Sequence, residues 1–342
     1  MDSVTQFLLG ASVSAALLGP RHGIKAALIG GVVATLPDLD TFIRHENVIE
    51  NVTRHRGFSH SLLVQTAAAP LIAGAIKVIF RKQQFDFPRL LLTVWLALIT
   101  HSLLDSLTTY GTQIFWPLEA GPPAALPSVF IIDPVYTLTL LLGIVCYFIF
   151  VRRRPQRASL WVRSCLALGT AYLAAGLLGH NVVLNRAMAD PALAGKKIHV
   201  QPTPFNIVYW QVLAVDERHY YTAATSLLRG CPHLDVKRYE RISSPSVLRF
   251  SGVGEALSPS VKRYEWFTDG FYTYKEVEGG LAISDLRIGF APVFPFSFKI
   301  AALGADGLKM IKPERERSGR SARLEQVSKI FEAAKTVPQK CH

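Results

Sequence analysis

Seven side chains able to hold a cation or move a proton recur where apolar stretches begin or end. Asp38 and Asp40 follow the second stretch, His55 and His60 precede the third, His101 and Asp105 close the fourth, and Asp133 opens the fifth. An Asp at the centre of a membrane helix costs roughly 2.5 to 3.5 kcal/mol on insertion scales, so ionisable groups at such places need a use. His101 and Asp105 lie four apart, which on a helix projects both from one face toward a single ion; a polar pair at a helix end is the plainer alternative. Pro37-Asp38-Leu39-Asp40 turns its two carboxylates to one side if extended and to different sides if helical. His55-Arg56-Gly57-Phe58-Ser59-His60 reads as a turn entering a helix, with Ser59 placed as N-cap. Mixed imidazole and carboxylate donors suit a divalent metal, zinc ahead of iron or manganese. Such an ion lowers the pKa of water toward about 7 and stabilises charge on a phosphoryl or acyl oxygen. Arg56 then suits an anionic substrate, because a guanidinium matches phosphate in a bidentate geometry. Asp133 is expected as a further ligand or general base.

The elements that must position these groups follow from hydropathy. Half of the 342 residues are apolar and 18% are charged, which suggests two domains and excludes one small soluble domain. A mean hydropathy of +0.26 conceals an uneven distribution, with long apolar runs crowded into the first 180 residues. Ser61 to Phe80, Leu90 to Leu107, Val135 to Val151 and Leu160 to Gly179 are long enough to span a bilayer. Phe7 to Gly19 and Ile24 to Leu36 are shorter, rich in Gly and Ala, and read as a helical hairpin or as buried core helices. The first stretch lacks a basic n-region and a small-residue cleavage site, so no cleavable leader is expected.

The formal charge is +12. Much of the excess stands beside apolar runs, at Arg81 and Lys82 and at Arg152, Arg153, Arg154 and Arg157, as expected of charge that sets membrane orientation. A nucleic-acid partner is therefore not expected. Those clusters on the cytoplasmic side give six crossings with both ends outside, and bring all seven candidate groups to the outer surface of an inner membrane. Tyr110 to Pro134 forms an outer Gly/Pro-rich loop whose Phe115 and Trp116 anchor at the interface or form a lid over the site.

Beyond Gly179 the pattern changes to short β-prone runs: Ile207 to Val215, His219 to Leu228, Leu248 to Ser251, Gly270 to Val277 and Leu281 to Ile288. The fold class is an α-helical polytopic membrane domain, residues 1–182, followed by a smaller β-rich extracytoplasmic domain, residues 183–342. A basic, exposed segment from Lys309 to Arg323 and a short amphipathic helix over Ser321 to Lys335 are expected at the end. Cys146 and Cys165 read as buried, while Cys231 and Cys341 could pair in an oxidising compartment. Asp285 and Arg287 suggest a local salt bridge.

The fragments LPDLD (36–40), HRGFSHSLL (55–63) and HSLLDSLTTYGTQIFWPL (101–118) together closely resemble the membrane-bound metal-dependent hydrolases, also described as LexA-binding inner-membrane-associated hydrolases. The resemblance covers about the first 120 residues. It implies an all-helical membrane domain and a hydrolase with no generally assigned substrate. More distantly, the PD segment and later H-x-x-x-D look like zinc-dependent phospholipase C and P1-type nucleases. Many relatives carry a His near the start of the first helix, where this chain has Gln6. His22 falls on a cytoplasmic turn and His180 reads as structural. Three functions remain open: a metal-dependent hydrolase acting at the outer face on a phosphate- or acyl-containing substrate, a lipid among the candidates; a non-catalytic metal-stapled membrane protein recruiting an envelope partner; and a transporter with a carboxylate proton relay.

Overall fold

A computed structural model describes residues 1–118, 121–228, 234–244, 258–304 and 307–316. The chain divides into two compact units: Met1–Ile43, His55–Leu178 and Pro204–Asn206 form the first, and Arg44–Arg54, Gly179–Thr203 and Ile207–His342 the second. In chain order the helices are α1 (Ser3–Leu17), α2 (Gly19–His22), α3 (Ile24–Thr35), α4 (Val48–Arg54), α5 (Leu62–Ile79), α6 (Phe87–Ser106), α7 (Pro134–Phe150), α8 (Pro155–Ala189) and α9 (Pro259–Phe267). Helices α5, α6 and α8 are long and apolar enough to cross a membrane; α1, α3 and α7 are apolar but shorter.

In the first unit, α1 and α3 pack backbone to backbone. A Cβ on Gly10 would come 2.4 Å from the carbonyl oxygen of Gly30, and one on Gly30 would come 2.3 Å from that of Gly10. Small residues permit this approach, which in lipid supplies packing contacts where the hydrophobic effect supplies none. Ile29 and Val33 of α3 then meet Ala69 and Ala73 of α5 and Leu90, Val94 and Ala97 of α6 in one buried cluster. Polar caps fix where the helices start: the Asp2 carboxylate accepts from Thr5 N at 3.0 Å at α1, and Ser61 Oγ accepts from Val64 N at 3.4 Å at α5. The α5 cap is thus Ser61, not the expected Ser59.

The second unit holds two antiparallel sheets, ordered β1-β2-β3-β4 and β5-β6-β7-β8. The first comprises β1 (Lys197–Pro202), β2 (Tyr209–Val215), β3 (His219–Ser226) and β4 (Lys237–Glu240). The second comprises β5 (Tyr272–Val277), β6 (Gly280–Asp285), β7 (Ser297–Gly304) and β8 (Gly307–Arg315). Leu213, Val215 and Tyr220 of the first sheet share a core with Phe271, Leu286 and Phe294. Arg287 grips Asp285 through Nη2–Oδ2 at 2.8 Å and Nε–Oδ1 at 3.0 Å, both side chains buried, which is the salt bridge read from sequence.

Several expectations change. The last apolar stretch is one 35-residue helix, α8, that passes residue 182 and enters the second unit at Gly179. The second unit also takes in Arg44–Arg54: Arg263 of α9 donates from Nε to Thr53 Oγ1 at 2.9 Å, and Asn47 Nδ2 donates to Ser260 Oγ at 2.8 Å. Residues 309–315 keep the expected exposure at Lys309, Lys312 and Arg315 but form a strand, the edge strand β8, where lysines suit an edge that must resist further pairing. The run at 248–251, the helix at 321–335 and the pair Cys231 and Cys341 lie outside the described residues.

Two predictions follow from this packing. Gly30→Leu should cost the helical unit at least about 1 to 3 kcal/mol, because the new side chain meets backbone; a lowered thermal midpoint of the detergent-purified protein checks it. In the second unit, burial, with the Arg287 cation behind it, pushes His199 down to about 3. A folded pKa below the unfolded value near 6.5 gives stability that is complete above that pH and lost as pH falls from there toward about 3. The melting temperature of the second unit should therefore fall below about pH 6.5, and His199→Gln should flatten that slope between pH 6.5 and 5.

Candidate metal centre

Three local structures converge in the helical unit. Pro37 breaks the chain after α3 and starts a 3-10 turn, Pro37–Phe42, which carries Asp38 and Asp40. With three residues per turn, positions two apart point to different sides. Asp38 accordingly faces α6, while Asp40 faces the segment from His55 to His60. A second 3-10 turn, Phe58–His60, delivers His60 immediately before the α5 cap. Helix α6 supplies His101 and Asp105 from one face, one helical turn apart.

Asp38, His60, His101 and Asp105 form a tetrad with one donor atom each within 4.8 Å of the others. His60 Nε2 lies 3.1 Å from His101 Nε2, 3.5 Å from Asp38 Oδ1 and 3.3 Å from Asp105 Oδ2. His101 Nε2 lies 3.5 Å from Asp38 Oδ1 and 3.6 Å from Asp105 Oδ2. Ligands about 2.0 to 2.1 Å from a tetrahedral ion stand about 3.3 Å apart, so these separations are near the edges of such a shell. The side chains of His60, His101 and Asp105 are fully buried, whereas that of Asp38 keeps 19% of its surface. Asp105 Oδ2 and His101 Nδ1 are buried with no hydrogen-bond partner among the described residues. Asp105 Oδ2 is flanked by two imidazole nitrogens and, 3.0 Å away, by Arg56 Nε, and its lone pairs without a hydrogen bond are what a cation would take up.

Neighbouring groups hold the tetrad in place. Gln6 Nε2 donates to Asp105 Oδ1 at 2.9 Å and to the His101 carbonyl at 3.2 Å, and the Met1 amine meets the same Asp105 oxygen. Gln6 therefore braces Asp105 from behind. Arg56, at φ 61° and almost fully buried, brings Nε within 3.0 Å of Asp105 Oδ2, out of hydrogen-bond line. Its Nη1 donates to Thr108 Oγ1 at 3.2 Å, and its guanidinium lies 5.0 Å above the Tyr110 ring. Expected to hold an anion, Arg56 instead spends its guanidinium on Asp105, Thr108 and Tyr110.

Asp40 and His55 stand beside the tetrad and are not among its four donors. Asp40 accepts from Arg56 N at 3.0 Å and Ser59 Oγ at 2.7 Å, and its Oδ1 lies 2.7 Å from His55 Nδ1. Burial works against ionisation of Asp40, but the bond and charge of His55 and the Ser59 hydroxyl hold its carboxyl below the usual range. Burial likewise opposes ionisation of Asp38, and the bonds from His101 and His60 outweigh it. Burial pulls His60 down while Asp105 and Asp38 raise it further, leaving it above the ordinary imidazole value. Asp133 is not gathered here: Oδ1 caps α7 through Val135 N at 3.0 Å and Tyr136 N at 3.1 Å, and Oδ2 accepts from Tyr172 at 2.8 Å. His22 packs on Phe85 and His180 on Trp210.

Sequence reasoning passed over Ser59, Gln65, Thr108 and Tyr110 as parts of the site. Gln65 Nε2 ties the Ser59 carbonyl at 2.9 Å to Ser102 Oγ at 2.6 Å, joining α5 to α6 beside His101. Ser59, Thr108 and Tyr110 lie inside the fragments quoted above, so their place there was the available signal.

The helices and the tetrad define a membrane protein with a buried imidazole and carboxylate cluster. The chain belongs to the YdjM inner membrane protein family, which matches residues 1–183, and is an inner-membrane protein. It is 31% identical over 126 residues, 35% of its length, to the uncharacterized protein YfhP of Bacillus subtilis (strain 168). It is 34% identical over 109 residues, 32% of its length, to the inner membrane protein YbcI of Escherichia coli (strain K12). The match spans 38% of YfhP and 59% of YbcI. No solved structure matches.

His101→Ala and Asp105→Ala should each reduce bound divalent metal at least about tenfold in the purified protein, whereas Asp133→Asn should leave it unchanged. Metal analysis after dialysis checks this, and equal depletion in all three variants would contradict the assignment.

Proposed function

We propose that this protein is a metal-dependent hydrolase working at the outer face of the inner membrane on a phosphate- or acyl-containing substrate. The observation that carries the reading is the partial exposure of Asp38 at the edge of an otherwise buried tetrad. Asp38, His60, His101 and Asp105 would hold the divalent ion, zinc by the chemistry of the donors. Such an ion supplies Lewis acidity and a water of lowered pKa. Arg56 offsets the charge of Asp105 and Asp40 is paired with His55, so an ion held here would draw an anionic substrate, or the negative charge developing in acyl transfer, by direct ligation at the Asp38 opening. His55, its Nδ1 turned to Asp40, keeps Nε2 for a proton moving to or from the reacting group.

Four protein donors also describe a structural ion site, and this supports a second reading in which the metal only staples the turns to α6. Asp38→Ala separates the two. Under the hydrolase reading the purified protein cleaves a nitrophenyl phosphodiester or ester, and Asp38→Ala lowers turnover at least about a hundredfold while the melting temperature moves little. Under the staple reading metal removal collapses the helical unit, and neither protein turns over the phosphodiester or the ester. The outer-face orientation, supported by the Arg81/Lys82 and Arg152 to Arg157 clusters, has its own check. Alkaline phosphatase fused after residue 342 should be active, and an inactive fusion that is active when moved to the turn at Arg81 would reverse the orientation.

A further inference from the structure

Between the two turns that carry Asp38 and His60, the chain leaves the helical unit after Ile43 and returns to it at His55. The residues between, Arg44–Arg54, include α4 and belong to the second unit. A seven-residue helix is too short to hold itself, so the order of α4 comes from what it packs on. That support is α9. The buried Val261, Tyr264 and Phe267 root α9 in the second unit, the Tyr264 hydroxyl donating to the Phe296 carbonyl at 2.9 Å and its ring meeting Phe298 edge to face. From this platform Arg263 forks onto one residue, donating from Nε to Thr53 Oγ1 at 2.9 Å and from Nη2 to the Thr53 carbonyl at 3.2 Å. Ser260 Oγ accepts from Asn47 Nδ2 at 2.8 Å and donates to Glu50 Oε1 at 3.2 Å. Asn47, Thr53 and Ser260 are buried, which strengthens these bonds.

Thr53 stands two residues before His55 and three before Arg56. Arg56 takes φ 61°, a left-handed conformation that a non-glycine residue keeps only where its surroundings impose it. On one side the site imposes it, through Arg56 N on Asp40 at 3.0 Å and Arg56 Nε beside Asp105. On the other side stands the fork of Arg263 on Thr53. We infer that Arg263 is a positioning residue for the tetrad: by clamping Thr53 it sets the path on which the chain re-enters the site, so that docking of α4 on α9 and binding of the cation are coupled. This rests on the tetrad's holding a divalent ion, and holds whether that ion is catalytic or a staple. Such coupling is reciprocal, so the ion in turn stabilises the docked α4.

The full chain in detergent, stripped of metal, is titrated with cobalt and followed by its visible absorption. Losing both bonds of Arg263 lowers the fraction of protein with the turn in place, so Arg263→Ala should raise the cobalt Kd about three- to thirtyfold. The spectrum at saturation should not change, because the four ligands do not. Thr53→Val keeps the shape of the side chain but removes the acceptor at Oγ1, and should raise the Kd by less. Combining it with Arg263→Ala should add nothing to Arg263→Ala alone. In the parent protein cobalt should slow amide exchange across Val48–Arg54 at least about threefold. If Arg263→Ala fails to fold, Thr53→Val carries the same comparison. A cobalt Kd unchanged in the folded variants would reduce Arg263 to a structural contact and overturn the coupling, with the metal centre intact. Exchange at α4 that ignores cobalt would overturn it too. No cobalt binding by the parent protein would overturn the metal centre and the coupling with it.

Discussion

Two carboxylates and two imidazole nitrogens converge within 4.8 Å, the imidazole nitrogens standing 3.1 to 3.6 Å from one another and from the carboxylates, and three of the four side chains are fully out of water. Left alone, such a group sets like charges and facing nitrogens against one another in a medium that screens them poorly. A divalent cation reverses the sign of that interaction, turning the closest repulsions into shared ligation. The surrounding architecture can be understood as what holds the donors near enough for this to happen. Helix α6 is the rigid part, because the four-residue spacing of His101 and Asp105 needs no loop to be correct. Both aspartates of the first turn and His60 of the second depend on short 3-10 elements, so they need external fastening.

Asp40 provides much of that fastening, by accepting from Arg56 N and Ser59 Oγ and pairing with His55. A carboxylate that looked like a ligand thus serves as the hinge pin between two turns. Arg56 does similar work from the other side, since its buried charge makes Asp105 tolerable in the interior and fixes its orientation. The close approach of α1 to α3 extends the same logic: only glycines at positions 10 and 30 let α1 pack closely on α3 while Gln6 reaches Asp105.

The helical half was legible because hydropathy over 15 to 20 residues averages out local detail, and because the i, i+4 spacing of His101 and Asp105 has one geometric meaning. The division of labour between Asp38 and Asp40 was not legible. It depends on whether Pro37–Phe42 is extended or helical, and only the 3-10 turn decides which carboxylate faces α6. Asp133 misled because an aspartate before a proline and an apolar run is equally a ligand and a cap, and its Tyr172 partner lies 39 residues away in sequence. In the second unit β2, β3, β5 and β6 were visible as apolar, β-branched and aromatic runs. Strand β4, Lys-Arg-Tyr-Glu, was hidden by its edge position, and α9 by aromatic residues of β propensity held helical by tertiary contacts.

The central claim is that Asp38, His60, His101 and Asp105 bind one divalent ion. X-ray absorption at the metal edge of the purified protein addresses it directly. The account predicts a first shell of nitrogen and oxygen at about 2.0 to 2.1 Å with the outer scattering of two imidazoles. A sulfur-containing shell, or a shell showing no imidazole scattering, would contradict it.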